Sequence, residues 1–315
     1  MQHGLWYAGV VLLLLLASCK KNDNPEKLNS AKPTVFAYIN ANKNLSLYQA
    51  ALKRAGLYNA ETFSNGGPFT VFAPVDSAFT KAGLTLDKIN SYDPQALASI
   101  LKYAIVYGKI SSSSLIGFYT QNVFGLNEAY KPTLTKNYYG IFLDGIPLET
   151  NGSTDLNDGV VHQITRVPFP PAENIFSLIS KTEDLTLFTA AVKRAGYENK
   201  YSAQQQQYYY TLFAPTNEAF KKFGYPDVAS IENADPVLLQ RIFNSLIFDR
   251  GTTRLLTSAF RGGYALGYKY IYVQTDGFTI IATGNIMPTH IIRPDIMATN
   301  GVIHVVDQVM AQVFN

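Results

Sequence analysis

One cysteine, Cys19, occurs in 315 residues, so the chain can form no intramolecular disulfide and no cysteine-built metal site. Charge is scarce as well, at 16% of residues with a formal net charge of +3. Lys and Arg are scattered, which removes the electrostatic footprint a nucleic-acid binder needs. The two Lys-Arg pairs, Lys53-Arg54 and Lys193-Arg194, read as solvated faces of helices. No GxSxG elbow, HExxH zinc motif or GxxxxGK[ST] phosphate loop is present. GGYALG at Gly262–Gly267 lacks the Lys-Ser/Thr that would touch phosphate and magnesium. Asp276 and Asp295 read as a turn residue and a loop residue. The expectation is a non-enzymatic protein without metal or cofactor and without a nucleic-acid partner.

Long apolar runs are missing too. The longest, Leu5–Leu16, is short of the roughly 20 residues a membrane-spanning helix needs. It suits the apolar region of a secretory signal, although the preceding Met-Gln-His carries no Lys or Arg. The run ends in Leu-Ala-Ser-Cys, which resembles a bacterial lipobox, where the signal is removed and Cys19 becomes the acylated N-terminus. Two or more acyl chains at about 0.8 kcal/mol per buried methylene hold a protein on a membrane. The expectation is a signal over 1–18, a polar tether over 19–30 and lipid anchorage through Cys19 at the outer membrane. Lys20, Lys21, Asp23 and Glu26 resemble surface-export signals of Bacteroidota lipoproteins, and both faces of that membrane stay open.

What the chain does have is hydrophobic residues, 47% of the total, and a sentence written twice. TVFAPVDSAF (Thr70–Phe79) returns as TLFAPTNEAF (Thr211–Phe220). LSLYQAALKRAG returns as LTLFTAAVKRAG, SYDPQALASILKYAIV as NADPVLLQRIFNSLIF, and NDGVVHQITRV as TNGVIHVVDQV. Four markers in one order, offset by 140 to 142 residues, mean a duplicated domain, since that period is far too long for a solenoid. VPFPPAEN (Val167–Asn174), rich in proline, marks the joint. Domain 1 is therefore expected over 31–170 and domain 2 over 171–315.

Local signals put helices early and strands late in each copy, an α+β architecture. Tyr48, Leu52 and Ala55 recur at helical spacing before Gly56, as do Phe188, Val192 and Ala195 before Gly196. Asp93-Pro94 and Asp235-Pro236 are N-cap and N1 pairs. Asp144-Gly145 and Asp276-Gly277 read as type I′ hairpin turns. In the repeated phrase, Thr70, Phe72 and Pro74 (Thr211, Phe213 and Pro215) suit a short buried strand that stops at proline. Asp76 or Asn217 would then cap the helix that follows, with Phe79 or Phe220 packing back on the strand. Val302, Ile303, Val305 and Val306 surround His304, so it and His162 are expected inside a central strand, hydrogen-bonded rather than bound to metal.

Thr211–Phe220 followed by Ala298–Asp307 (ATNGVIHVVD) resembles the two hallmark segments of the fasciclin domain. Asn300, Gly301, His304 and Asp307 all match the second hallmark. Copy 1 keeps Asp158, Gly159 and His162 but has Thr165 where copy 2 has Asp307. The resemblance spans both copies. It implies a β-wedge of two sheets with a cluster of helices, in surface-attached adhesion or interaction modules that often come in tandem. The Tyr-His pair that animal members link to integrin contact is absent: Ala104 follows Tyr103, and Ser245-Leu246 stand at that place in copy 2.

Two features are candidates for binding. Tyr268, Tyr270 and Tyr272 are two apart, so a strand would rank all three on one face, suited to a sugar or a protein. The alternative is that the rings roof the core or pair across the sheet. Copy 2 also carries extra sequence around Thr283–Pro294, read as an added loop in which His290 and Arg293 could meet an acidic or polar ligand. The functional expectation is a surface adhesion lipoprotein, with a glycan-binding accessory of a polysaccharide-uptake system as the alternative.

Overall fold

Helices come first and strands last in each copy in the computed structural model, which describes residues 32–203, 209–251, 254–266, 271–282 and 284–310. The first copy supplies β1 (Phe69–Pro74), β2 (Ile105–Tyr107), β3 (Tyr119–Asn122), β4 (Thr133–Asn137), β5 (Gly140–Leu143), β6 (Ile146–Asp155) and β7 (Gly159–Ile164). They form one seven-stranded sheet in the order β2-β1-β7-β6-β5-β4-β3. The second copy supplies β8 (Tyr209–Pro215), β9 (Ile247–Gly251), β10 (Tyr264–Ala265), β11 (Ile271–Val273), β12 (Thr279–Ala282), β13 (Thr289–Ala298) and β14 (Gly301–Val306). Their order, β10-β11-β12-β13-β14-β8-β9, is the first order read backwards. Each domain is thus α+β, a curled sheet with helices against it.

The curl has a local cause. The ten-residue β6 and β13 serve both halves of their sheets, and both break register between those halves. The extra residues of such bulges bend a strand and increase its twist. In domain 1 the bend brings the far edge round: Tyr107 donates to the Phe124 carbonyl at 2.8 Å and Leu126 to that of Ile105 at 2.9 Å. Gly125 permits this closure, because a Cβ there would lie 2.1 Å from the Ile105 oxygen.

The two repeated phrases are neighbours in space. β1 pairs in parallel with β7, and β8 with β14, which sets Phe72 beside His162 and Phe213 beside His304. Strands β1 and β14 are buried along their whole length, as parallel strands between covered faces should be. Gly159 and Gly301 let the pairs close, since a Cβ on either would come 2.3 Å from a carbonyl oxygen of the facing strand. The residue before each glycine reaches a helix start: Asp158 accepts from the Val35 amide at 2.7 Å and Asn300 from that of Ile175 at 2.9 Å. The helices opened by the Asp-Pro pairs bury one stripe each, Leu97, Ile100 and Leu101 on Pro94–Tyr103 and Leu239, Ile242 and Phe243 on Pro236–Leu246.

Asp76 and Asn217 do not cap the helices they open. The cap positions are Val75 and Thr216, and the acceptor side chains turn away to an earlier helix. Asp76 accepts from the Leu47 amide at 2.8 Å and from Ser46 Oγ at 2.6 Å, at the start of helix Ser46–Arg54. Asn217 accepts from the Leu187 amide at 2.9 Å, at the start of Thr186–Arg194. Those helices begin at leucine caps with no side-chain acceptor of their own, so the orphan amides draw a partner from elsewhere. The Lys-Arg pairs at their other ends are exposed, yet Arg54 and Arg194 donate to the carbonyls of Tyr92 and Ala234.

Two further expectations change. Asp144-Gly145 makes a two-residue turn between β5 and β6 with positive φ at both residues. Asp276-Gly277 instead lies between β11 and β12, in a longer loop where only Gly277 has positive φ. The two Asp-Gly pairs therefore occupy different hairpins. The extra sequence of copy 2 also shrinks to the connection between Ala282 and Thr289, because Thr289–Pro294 is the start of β13. His290 and Arg293 sit on a strand, not on an added loop.

Replacing Asp76 or Asn217 by Ala strips the amides of a helix from their acceptor. Each variant should lose about 1–2 kcal/mol in urea unfolding, the usual cost of removing such a cap. An unchanged midpoint would show that the contact holds nothing.

Candidate functional site

The buried histidines come first, because they organise everything near them. In domain 1 the Ile110 amide donates to Thr70 Oγ1 at 2.8 Å, and the Ile110 carbonyl accepts from His162 Nε2 at 2.8 Å. In domain 2 the Leu255 amide donates to Thr211 Oγ1 at 3.2 Å, and its carbonyl accepts from His304 Nε2 at 2.8 Å. The threonine of the first hallmark and the histidine of the second thus clamp one backbone residue between them. The other ring nitrogen is also used, by Ser153 Oγ at 2.9 Å and by the Asp295 amide at 3.1 Å. The Asp295 amide can only donate, which fixes His304 as the neutral Nε2–H ring; Ser153 serves His162 in either role, and burial holds both imidazoles below their usual pKa.

Asp295, expected in a loop, lies in the bulge of β13 with φ 57 and its carboxylate wholly buried. Thr257 donates to it from its amide at 2.7 Å and its hydroxyl at 2.5 Å. Arg166, just before the proline-rich joint, completes the set. Its Nη2 reaches Asp295 at 2.7 Å and the Gly145 carbonyl at 3.1 Å, and its Nη1 reaches the Pro294 carbonyl at 2.7 Å. Gly145 packs so closely that a Cβ would stand 2.6 Å from the Asp295 carboxyl carbon. The domain 1 hairpin therefore presses directly on the domain 2 bulge. Asn137 adds a bond to the Ser258 carbonyl at 2.7 Å. Pro33–Asn315 accordingly forms one compact unit.

Asp144 faces this seam from domain 1, buried, accepting from Tyr103 Oη at 2.6 Å and from the Thr133 amide at 2.8 Å. Burial pushes its pKa up to about 6 against the opposing pull of those bonds. Beside the seam opens a cleft of about 1000 Å³, walled by Tyr92 and Ile100, the Val167–Pro170 joint, and Ile292 and Met297. Its size and its place between domains are those of a small-molecule site. Its arginines and Glu173 are already engaged, Glu173 with Lys181 at 2.5 Å, Arg293 with Asp184 at 2.7 Å and Arg166 with Asp295, while Lys81 also lines the cleft.

The residues expected to bind are dispersed. Tyr272 is 44% exposed on β11 while Ile271 and Val273 are buried, the alternation a one-sided strand requires. Tyr268 and Tyr270 lie outside the described residues, as does Cys19. His290 pairs with Asp307 at 3.0 Å and Arg293 with Asp184, so the two do not converge on one ligand. Exposed pairs of this kind contribute little to stability. Among the described residues no cluster of three His, Cys, Asp or Glu could hold a metal, and no helix is long and apolar enough to cross a membrane. The sequence reading passed over Arg166 and Thr257 and took Asp295 for a loop residue. One signal was available: at an offset of 142, Asp295 replaces Ser153, placing a charge beside a buried histidine.

Arg166→Ala leaves the Asp295 carboxylate buried without its counter-charge and should destabilise the protein by about 3 kcal/mol in urea unfolding. A second expectation concerns pH. The depressed pKa values of His162 and His304 stabilise the fold above about pH 6.5, and that contribution fades as pH falls. Asp144 acts the opposite way. Its raised pKa means that the folded state takes up a proton as pH falls through about 6, which adds relative stability toward pH 4. Asp144→Asn should therefore lose stability more steeply than the wild type between pH 6 and pH 4; parallel curves would contradict this.

Known proteins share this sequence pattern. The Fasciclin domain model matches residues 43–170 and again 183–312. Transforming growth factor-beta-induced protein ig-h3 of Sus scrofa is 26% identical over 248 residues, 78% of this chain but 35% of that protein. Human periostin is 32% identical over 192 residues, 58% of this chain and 21% of its own length. The cell surface glycolipoprotein MPB83 of Mycobacterium bovis is 33% identical over 113 residues, 35% of this chain and 47% of that protein. The chain thus spans about a third or less of the length of the first two relatives. Among solved structures, a FAS1 domain pair from the insect cell adhesion molecule fasciclin I aligns at 16% identity with a TM-score of 0.39, covering 84% of this chain and 96% of that one. The chain belongs to the fasciclin domain family, with two tandem copies of the domain.

Proposed function

We propose that the chain is a non-enzymatic interaction protein held at the bacterial outer membrane by a lipid on Cys19. One observation carries the non-enzymatic part: the polar groups best placed for chemistry are consumed by structure. His162 and His304 spend both ring nitrogens on the clamps, and Asp295 and Arg166 neutralise each other across the seam. What remains is surface presented by two joined domains over a polar tether, running from 19 to 30 with domain 1 from 31 and domain 2 from 171. The name of the Mycobacterium bovis relative, a cell surface glycolipoprotein, fits a member of this family working from a membrane. Lipid attachment is supported by the Leu-Ala-Ser-Cys sequence after a short apolar run. Protein contact at the cell surface is the partner class this reading assigns.

The exposed Tyr272 supports a second reading, in which the partner is a glycan and the protein assists polysaccharide uptake. A tyrosine ring offers a flat apolar face and a polar tip, which suits the C–H face and hydroxyls of a sugar.

Cys19→Ala should move the protein from the membrane fraction to the soluble fraction after cell lysis. Unchanged sedimentation with membranes would remove the anchor from the account.

A further inference from the structure

Tyr272 does not stand alone. Its hydroxyl lies over Gly263, where a Cβ would meet it at 2.0 Å, and its register partner on β12 is Ile281, also exposed. The preceding residue, Gly262, carries a ring from the other domain: Tyr139 Oη lies 2.3 Å from the position of a Gly262 Cβ. Tyr139 belongs to the β4–β5 turn, and its neighbour Tyr138 is 88% exposed with ring centroids 6.4 Å apart. Gly262 and Gly263 both have positive φ, 93° and 90°, a conformation that side-chain-bearing residues avoid. Two adjacent glycines thus form a bare strip of backbone on which tyrosines from both domains rest.

We infer that Tyr139 and Tyr272, laid on Gly262 and Gly263 across the domain seam, form with the neighbouring Tyr138 a single binding band for a neutral polysaccharide. The inference rests on the glycan reading of Tyr272 and extends it to domain 1. Three features favour this ligand over a charged one or a folded protein surface. The band residues carry no charge, so they match neither an acidic nor a basic partner. All three side chains are exposed while the Tyr139 and Tyr272 hydroxyls rest on the glycine backbone, which leaves ring surface open to a sugar face. The strip between them is bare backbone on neighbouring residues about 3.8 Å apart, so the two phenol tips sit close together, on the scale of a sugar unit. The Asn137 bond to the Ser258 carbonyl and the Arg166 bridge hold the two halves of the band in place.

The test is affinity electrophoresis of the detergent-solubilised full-length protein in native gels containing laminarin, xyloglucan, galactomannan or yeast mannan. The wild type should be retarded by at least one of these. Tyr138→Ala and Tyr272→Ala should each weaken that retention by about 5-fold, the scale of one lost aromatic contact. Both side chains are exposed, so neither change threatens the fold. Loss with Tyr272→Ala but none with Tyr138→Ala would overturn the cross-seam band and leave the glycan reading of domain 2 intact. Retention unaffected by either change would remove both from this surface. No retention of the wild type by any of the four would overturn the band and the glycan reading together, leaving the surface to a protein partner.

Discussion

His304 is the residue on which the arrangement of the molecule turns. Its Nε2 holds the Leu255 carbonyl and its Nδ1 accepts from the Asp295 amide, so one neutral ring fixes both the loop that leads to Thr257 and the bulge of β13. Thr257 then donates to Asp295, Arg166 neutralises it, and Gly145 of the first domain closes on it. Domain 1 has the same ring and the same clamp on Ile110, but Ser153 replaces the aspartate, and no seam grows from that end. A charge introduced beside one of two equivalent histidines separates a fold-building device from a domain-joining one.

Such a seam is not cheap in electrostatic terms. A carboxylate taken wholly out of water costs several kcal/mol unless it is paired and hydrogen-bonded. Asp295 has one guanidinium, one amide and one hydroxyl directed at it. Asp144 nearby accepts from a phenol and an amide, and burial raises its pKa against the pull of those bonds. The pairing specifies one placement of the two domains, and that placement brings Tyr139 and Tyr272 onto adjacent glycines.

The sequence was legible where a local signal repeats and opaque where contact is distant. The doubled phrase announced two domains because its spacing repeats, and Asp93-Pro94 and Asp235-Pro236 announced helix starts because capping is local. Asp76 and Asn217 were misread for the same reason: they look like caps of their own helix, and only the fold brings them to helices about 30 residues earlier. Arg166 and Asp295 are separated by 129 residues and belong to no motif, so nothing local could join them. Tyr138 and Tyr139 carried no local signal, because the place of Tyr139 depends on Gly262 in the other domain.

The doubled hallmark, expected to build the fold, supplies a pair of structural clamps on buried histidines. Imidazole nitrogen NMR on the intact protein tests that claim most directly. The account predicts Nε2–H tautomers for His162 and His304 at pH 7, with both rings taking up a proton only below the range of a solvated histidine. Protonation of His162 and His304 near pH 6.5, as for a solvated histidine, would contradict it.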